Sequence, residues 1–238
     1  MTWSILARDG DGRFGIAIAS RFFAVGALTM HTRRGAGALA TQALVNPLYG
    51  PAGLELLDAG HAPVDVVATL AAADAGRAQR QLHVIAASGP GAAHTGDACI
   101  DWCGHRLGDG WSVAGNMLAG PQVIQATAEA YLANPALPLA DRLVAAMAAG
   151  EAAGGDKRGK QSAALRIQGD EDYPALDIRV DDHPEPIAEL RRLLEVSLDR
   201  FQPFAACLPR RGDPVGELDR TRIEARIEAF QRERRTHS

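Results

Sequence analysis

In residues 2–8, Trp3, Ile5 and Ala7 alternate with Ser4, Leu6 and Arg8; after "GDGR", Phe14, Ile16 and Ile18 alternate with Gly15, Ala17 and Ala19. A period of two marks extended chain, and the Gly-rich interruption marks a hairpin. "RFFAVGALTMHTRR" and "GAGALATQALV" read as two further short strands parted by basic residues. The period then changes. "NPLYGPAGLELLDAG" has Pro51 in a first helical turn and Gly60 at a helix stop, and "PVDVVATLAAADAG" repeats that grammar with Pro63 and Gly76. "QLHVIAAS", "DACIDWCG" and "GWSVAGN" are short and bounded by Gly or Ser, as strands are.

A second helix pair begins at Pro121 and continues where Leu139, Leu143, Val144 and Met147 share one helical face. "QSAALRIQG" and "YPALDIRVDD" return to strand, and Ile187, Leu190, Leu194, Leu198 and Phe201 then form one apolar stripe of a helix. After "PRRGDPVG" a strongly charged helix is predicted, with Ile223, Ile227 and Phe230 as its apolar ridge and a basic end expected to fray. Helix pairs set between runs of hairpin-linked strands predict an α+β fold, a four-layer αββα sandwich of two mainly antiparallel sheets. A doubly wound parallel sheet would alternate single strands with single helices, and this chain does not. The pattern divides into a domain over residues 1–205 and a charged helical extension over 206–238.

Composition narrows the function classes. Hydrophobic residues make up 47% and charged residues 23% of 238, with a net charge of −4. That leaves no basic footprint for nucleic acid or an anionic membrane surface, and no segment reads as membrane-spanning. Cys99, Cys103 and Cys207 are a sparse, odd set that suits a reducing cytoplasm. Of the 25 basic residues only Lys157 and Lys160 are lysine, and both fall in "GGDKRGK".

The candidate chemistry gathers where strands end. Thr2 stands at the start of the first strand, and its small side chain permits removal of Met1. That removal leaves a hydroxyl and a free α-amine on one residue. "ASR" ends the second strand with Ser20 and Arg21; "ATQALVN" carries Thr41, Gln42 and Asn46; "VAGN" carries Gly115 and Asn116. "GGDKRGKQS" carries Asp156, Lys157, Arg158, Gln161 and Ser162 between a helix and a strand. Each junction alone is ordinary turn chemistry, but together they form a pattern.

That pattern resembles the N-terminal-nucleophile (Ntn) hydrolases, most of all the proteasome β-type subunit plan of a strand-initial Thr, a second strand ending in Asp-Ser-Arg, and a strand running into an oxyanion helix. Here Ala19 stands where that Asp would be. Over nearly the whole chain, "SRFFAVGA", "TQALVNPLYGPAGLELL", "ACIDWCGH", "GNMLAG", "GGDKRGKQSAAL" and "DIRVDDHPEPIAELRRLL" resemble the bacterial family of domain of unknown function 1028, classed with the Ntn hydrolases. The resemblance implies amide hydrolysis with Thr2 as nucleophile and its own α-amine as base. Asn116, or a backbone N–H near Thr41 and Gln42, would hold the oxyanion, and Asp156, Gln161 and Ser162 would orient the amine and relay its proton. Ser20, Thr41, Gln42 and Asn46 would contact substrate, while Arg21, Lys157 and Arg158 would clamp a carboxylate. The expected substrate is a small polar or anionic molecule, with no cofactor, no nucleic acid and no membrane partner, in a homo-oligomer (a dimer or larger).

Two rival readings remain. Cys99, Asp101, Cys103 and His105 alternate in "CIDWCGH" and, with His83 or His94 on a neighbouring strand, would give metal ligands. Four ligands along one straight strand would nevertheless spread over about 20 Å, too far for one ion. The other rival is a non-catalytic small-molecule-binding protein on the same fold.

Overall fold

The computed structural model describes residues 2–237; the expected removal of Met1 concerns a residue outside them. The first hairpin is β1 (Thr2–Arg8) and β2 (Phe14–Ser20), paired antiparallel from Trp3–Ala19 to Arg8–Phe14. A four-residue helix α1 (Gly26–Thr29) leads into β3 (Met30–Arg33), so only the end of "RFFAVGALTMHTRR" is strand. β4 (Gly37–Ala43), α2 (Tyr49–Asp58), α3 (Pro63–Ala73) and β5 (Arg80–Ala86) follow. β6 (Ala92–Thr95) and β7 (Gly104–Gly108) are both missed by sequence pattern, because each is short and half-exposed. "DACIDW", expected as strand, is turn and bend instead. β8 (Trp111–Asn116), α4 (Pro121–Ala133), α5 (Leu139–Ala152), β9 (Ser162–Gln168) and β10 (Leu176–Val180) complete the layers.

The strands form two antiparallel sheets, β10-β9-β2-β1-β8-β7 and β3-β4-β5-β6. Helices α4 and α5 pack on the first sheet, α2 and α3 pack on the second, and β1, β2 and β8 face β4 and β5 across the middle. The αββα sandwich is therefore observed directly. Alternation along each strand sorts side chains between two buried faces. Leu39, Leu82 and Val84 join the α2–α3 core, while Leu6, Phe14, Ile16, Ile18, Ala38, Ala40 and Ile85 fill the layer between the sheets. Close approach of α5 requires Gly15: a Cβ there would lie 2.4 Å from Leu143 Cδ1 and 3.2 Å from Leu139 Cδ2.

Residues 1–190 and 191–238 form two compact units, a division after Leu190 where the sequence pattern suggested one after residue 205. The helix α6 (Pro186–Asp199) supplies the end of the first unit and the start of the second. In the second unit, α7 (Phe201–Ala205) packs with α8 (Arg220–His237), and Arg200–Glu224 and Arg234–Glu195 ion pairs tie α8 to residues near the end of α6. These links explain why the tail of α6 groups with α8. The basic end, expected to fray, is helical through His237, and Arg234 within it pairs with Glu195 at 3.0 Å.

A polar seam runs through the apolar middle layer. Ser4 donates to Gln42 Oε1 (2.8 Å), and its oxygen also meets His83 Nε2 at 2.8 Å. With its single hydrogen spent on Gln42, Ser4 accepts from His83, so the ring carries its proton on Nε2 and Nδ1 accepts from Ser112 Oγ at 2.8 Å. Burial first, and the neighbouring His105 second, push the His83 pKa down to about 3. The buried ring stays neutral.

Two outcomes follow from this packing. Gly15→Ala should overpack the α5 contact and lower stability by about 1–3 kcal/mol, read from urea midpoints. Acidification is the other. His83 takes up a proton only on unfolding between pH 6.5 and about 3, so stability is full above 6.5 and falls as pH drops through that window. The slope from this residue is about 1.4 kcal/mol per pH unit, and His83→Gln should remove one proton from the pH dependence of urea stability.

Candidate active site at the strand ends around Thr2

Thr2 lies one rung beyond the Trp3–Ala19 pair, and opposite Asn116 across the β1–β8 ladder. It is only 6% exposed, and its hydroxyl donates to Ser20 Oγ at 3.2 Å. Strand parity puts Thr2 on the face of β1 that carries Ser4 and Leu6, toward the middle of the sandwich. Ser20 pairs in turn with Ser162 on β9. Three hydroxyl residues thus sit side by side on three adjacent strands.

Asn116 has a holding task. Its Nδ2 donates to Gln81 Oε1 (2.9 Å) and more weakly to the Thr2 carbonyl (3.4 Å). Gln81 Oε1 also accepts from Gln42 Nε2 (2.8 Å), while Gln81 Nε2 reaches Thr95 Oγ1 and the carbonyls of Gly104 and Gly115. The polar seam therefore continues from His83 and Ser4 through Gln42, Gln81 and Asn116 to the backbone of Thr2. Both amide hydrogens of Asn116 have acceptors, which fits a positioning residue better than the oxyanion donor expected from sequence.

Asp156 is buried, its side chain 1% exposed, and it ties two junctions together. It accepts from the Arg21 backbone N–H at 2.7 Å, from the Arg158 N–H at 2.9 Å, and from the Arg158 guanidinium at 3.3 Å. A β-bridge joins Asp156 to Leu118, so the loop after β8 and the loop before β9 run together. Ser162 donates to the Phe22 carbonyl (2.5 Å) and accepts from Val25 N–H (3.2 Å), fixing the turn that leaves β2. Trp3, Ser20, Asp156 and Ser162 bound a cavity of about 90 Å³ beside this row.

The structure gives the remaining sequence candidates other immediate partners. The Arg21 guanidinium meets the Lys160 carbonyl (2.9 Å), Lys157 Nζ meets the Asp101 carbonyl (2.7 Å), and Gln161 meets Asp182 (3.1 Å). Thr41 Oγ1 donates to the Asn46 carbonyl at 3.3 Å. Asn46 belongs to a separate knot in which Asp74 accepts from Asn46, Tyr49, Gly76 N–H and Arg80. The Tyr49 hydrogen bond, foremost among these, holds the Asp74 carboxyl well below the usual range. That knot fixes the turn from β4 into α2. Asn46 is thereby accounted for structurally.

Backbone conformation sharpens the picture. The non-glycine residues with left-handed φ are Ala24 (50°), Ala43 (70°) and Met117 (51°) among the described residues. They follow β2, end β4 and follow β8; β2 and β8 flank Thr2, and β4 lies across the layer with Gln42 bonded to Ser4. Such residues cost about 1–3 kcal/mol each and gather where function shapes the chain. β3 begins at Met30, opposite Ala40, so Thr41–Ala43 continue beyond the β3–β4 ladder.

Sequence reasoning missed Ser4, Gln81, His83 and Ser112 as members of the site's support. The available signal was polar residues at inward-facing positions of otherwise apolar strands. His83, considered as a metal ligand, instead lies between two serines. Cys99 and Cys103 lie in turns, where burial pushes the Cys103 thiol up to about 11, with Cys99 and Asp101 adding to it. His94 bonds the Arg77 carbonyl and His105 bonds Thr95. No group of three His, Cys, Asp or Glu side chains suited to a metal ion occurs among the described residues. No helix among them is long and apolar enough to cross a membrane.

Comparison with known proteins identifies the family of the chain. A crystal structure of protein SPO2555 from Silicibacter pomeroyi, of the DUF1028 family, superposes with a TM-score of 0.85 at 33% identity, covering 92% of this chain and 99% of that one. Fainter similarity extends to eukaryotic HslV from Trypanosoma brucei (12% identity, 69% of this chain and 98% of that one, TM-score 0.40). It also extends to Anbu, an ancestral beta-subunit, from Yersinia bercovieri (11% identity, 82% and 94%, TM-score 0.36). No curated protein sequence matches the chain. The model of the family of unknown function DUF1028 matches residues 2–190, and this chain belongs to that family.

Proposed function

We propose that the protein is an amide-bond hydrolase in which Thr2, freed of the residue before it, is the nucleophile. The observation that carries this reading is the buried Thr2 hydroxyl at a strand end, 3.2 Å from Ser20 Oγ, with the Thr2 backbone held by Asn116. A threonine hydroxyl needs a base, and an N-terminal α-amine with a pKa of about 7.7–8.0 is partly neutral near neutral pH. The amine takes the hydroxyl proton as Oγ1 bonds to the substrate carbonyl carbon. It then returns that proton to the departing nitrogen as the C–N bond breaks. Water next attacks the ester on Thr2, yielding the acid and restoring the hydroxyl. The cavity beside Ser20 and Asp156 is large enough to admit that water.

Each remaining residue has a task in this reading. In this reading backbone N–H groups of Thr41–Ala43, which run beyond the β3 ladder, donate to the oxyanion, an interaction worth about 3–4 kcal/mol per donor. Asp156 holds the Arg21 and Arg158 backbones in place, Ser162 holds the turn after β2, and Ser20 supports the Thr2 hydroxyl. The carboxylate clamp suggested by sequence is weakened, since Arg21, Lys157 and Arg158 each bond to protein oxygens. The reading therefore keeps the amide and does not require an anionic substrate.

Thr2→Ala should lower hydrolysis of small amides by at least about a thousandfold. Its stability should change by no more than about 1 kcal/mol, because one side-chain hydrogen bond is lost. Thr2→Ser and Thr2→Cys should keep part of the activity. Retention of Met1, verified by intact mass, should be as damaging as Thr2→Ala because the base becomes a peptide nitrogen. Equal hydrolysis rates from Met1-retaining and Thr2-initiated protein would point to a different nucleophile, and hydrolysis by neither would leave a binding protein on the same fold.

A further inference from the structure

A second cavity, of about 330 Å³, opens beside Asn116, the strand partner of Thr2. Phe22, Leu44 and Ile100 stand around it with 64%, 59% and 58% of their surfaces exposed. Ala43, Ala98 and Met117 contribute further apolar surface. Its remaining lining comes from Gln79, Cys99, Asn116 and Arg158, and the Arg158 guanidinium already pairs with Asp156. Three large apolar side chains converging at an open cavity keep water against oily surface, a cost that a bound apolar group would remove.

Two features tie this cavity to the Thr2 site. Its wall includes Ala43 and Met117, two of the three left-handed non-glycine residues among those described, so strained backbone stands on two sides of the space. Phe22 is held through its carbonyl by Ser162, the ladder partner of the Ser20 that receives the Thr2 hydroxyl. The cavity and the hydroxyl row are thus built from the same strand ends. A volume near the low end of small-ligand sites takes one side chain of leucine or phenylalanine size.

We infer that the acyl part of the substrate carries an apolar side chain, of leucine or phenylalanine size, that seats in the pocket formed by Phe22, Leu44, Ile100 and the bent segments at Ala43 and Met117. This inference rests on the amidohydrolase reading, and it replaces the small polar or anionic substrate suggested by sequence. The carbonyl beside that side chain then falls next to Thr2, and the leaving amine lies outside the pocket.

The test pairs hydrolysis with binding. Wild-type protein beginning at Thr2 is assayed on N-acetyl-aminoacyl coumarin amides of glycine, aspartate, leucine and phenylalanine. Thr2→Ala protein is titrated by NMR with the N-acetyl amides of the same four residues. Leucine and phenylalanine should exceed glycine and aspartate by about tenfold or more in kcat/KM, with the same order in Kd. Ala98→Trp, at an exposed position, should fill the pocket and collapse the leucine-to-glycine ratio in both measurements. Ile100→Ser should lower that ratio too, and serves if Ala98→Trp fails to fold by circular dichroism. A preference for glycine or aspartate, or a ratio that neither variant changes, overturns the inference. If no amide is hydrolysed but binding keeps the apolar order and Ala98→Trp or Ile100→Ser lowers it, the hydrolase reading fails and the apolar pocket stands.

Discussion

The candidate site depends on a hydrogen-bonded seam buried between two sheets. An unpaired amide or imidazole in that layer would cost about 1–3 kcal/mol, so His83, Ser4, Gln42, Gln81 and Asn116 must satisfy one another. Donors and acceptors run in one consistent direction from the Ser112 hydroxyl through His83 and Ser4 to Gln42. Gln42 and Asn116 then converge on Gln81 Oε1, and Asn116 reaches the Thr2 carbonyl. A fully paired network inside a low-dielectric layer is rigid, because displacing any member strands its neighbours. The first strand is thereby pinned at its terminal residue, where chain ends ordinarily fray.

Rigidity at that end has a visible counterpart in the loops. Asp156 joins the exits of β2 and of the segment before β9, Ser162 fastens the 22–25 turn, and Asp74 fastens the turn from β4 into α2. Each is a side chain replacing backbone partners that a strand loses when it stops. The left-handed residues Ala24, Ala43 and Met117 lie between these fastenings. Their conformational cost is tolerable only because the surrounding bonds leave no cheaper arrangement. The hydroxyl row and the apolar cavity are both products of that constraint.

Electrostatics plays a smaller part than residue counts suggest. Lys157 and Arg158 follow Asp156 directly in sequence, yet Arg21, Lys157 and Arg158 bond to the Lys160 carbonyl, the Asp101 carbonyl and Asp156 in turn. The basic residues thus serve as braces for the loop before β9.

Alternation in Trp3–Ala7 and Phe14–Ala19, the Pro51, Pro63 and Pro121 helix starts, and the stripe through Leu139, Leu143 and Met147 were enough to determine the layer order, because burial imposes those periods locally. The strand-end position of Thr2, and the gathering of polar residues at junctions, were legible for the same reason. β6 and β7 were not, since a half-exposed strand pairs through its backbone and leaves little trace in side-chain pattern. Nor were the roles of Gln81, His83 and Ser112: a polar residue in a strand reads as outward-facing until its partner across the layer is known. Asn46 and Asn116 are both turn-forming asparagines in sequence, yet one joins Asp74 and the other joins Thr2. Only tertiary structure decided between them, because hydrogen-bond partners 28 and 114 residues away are chosen by how the sheets stack.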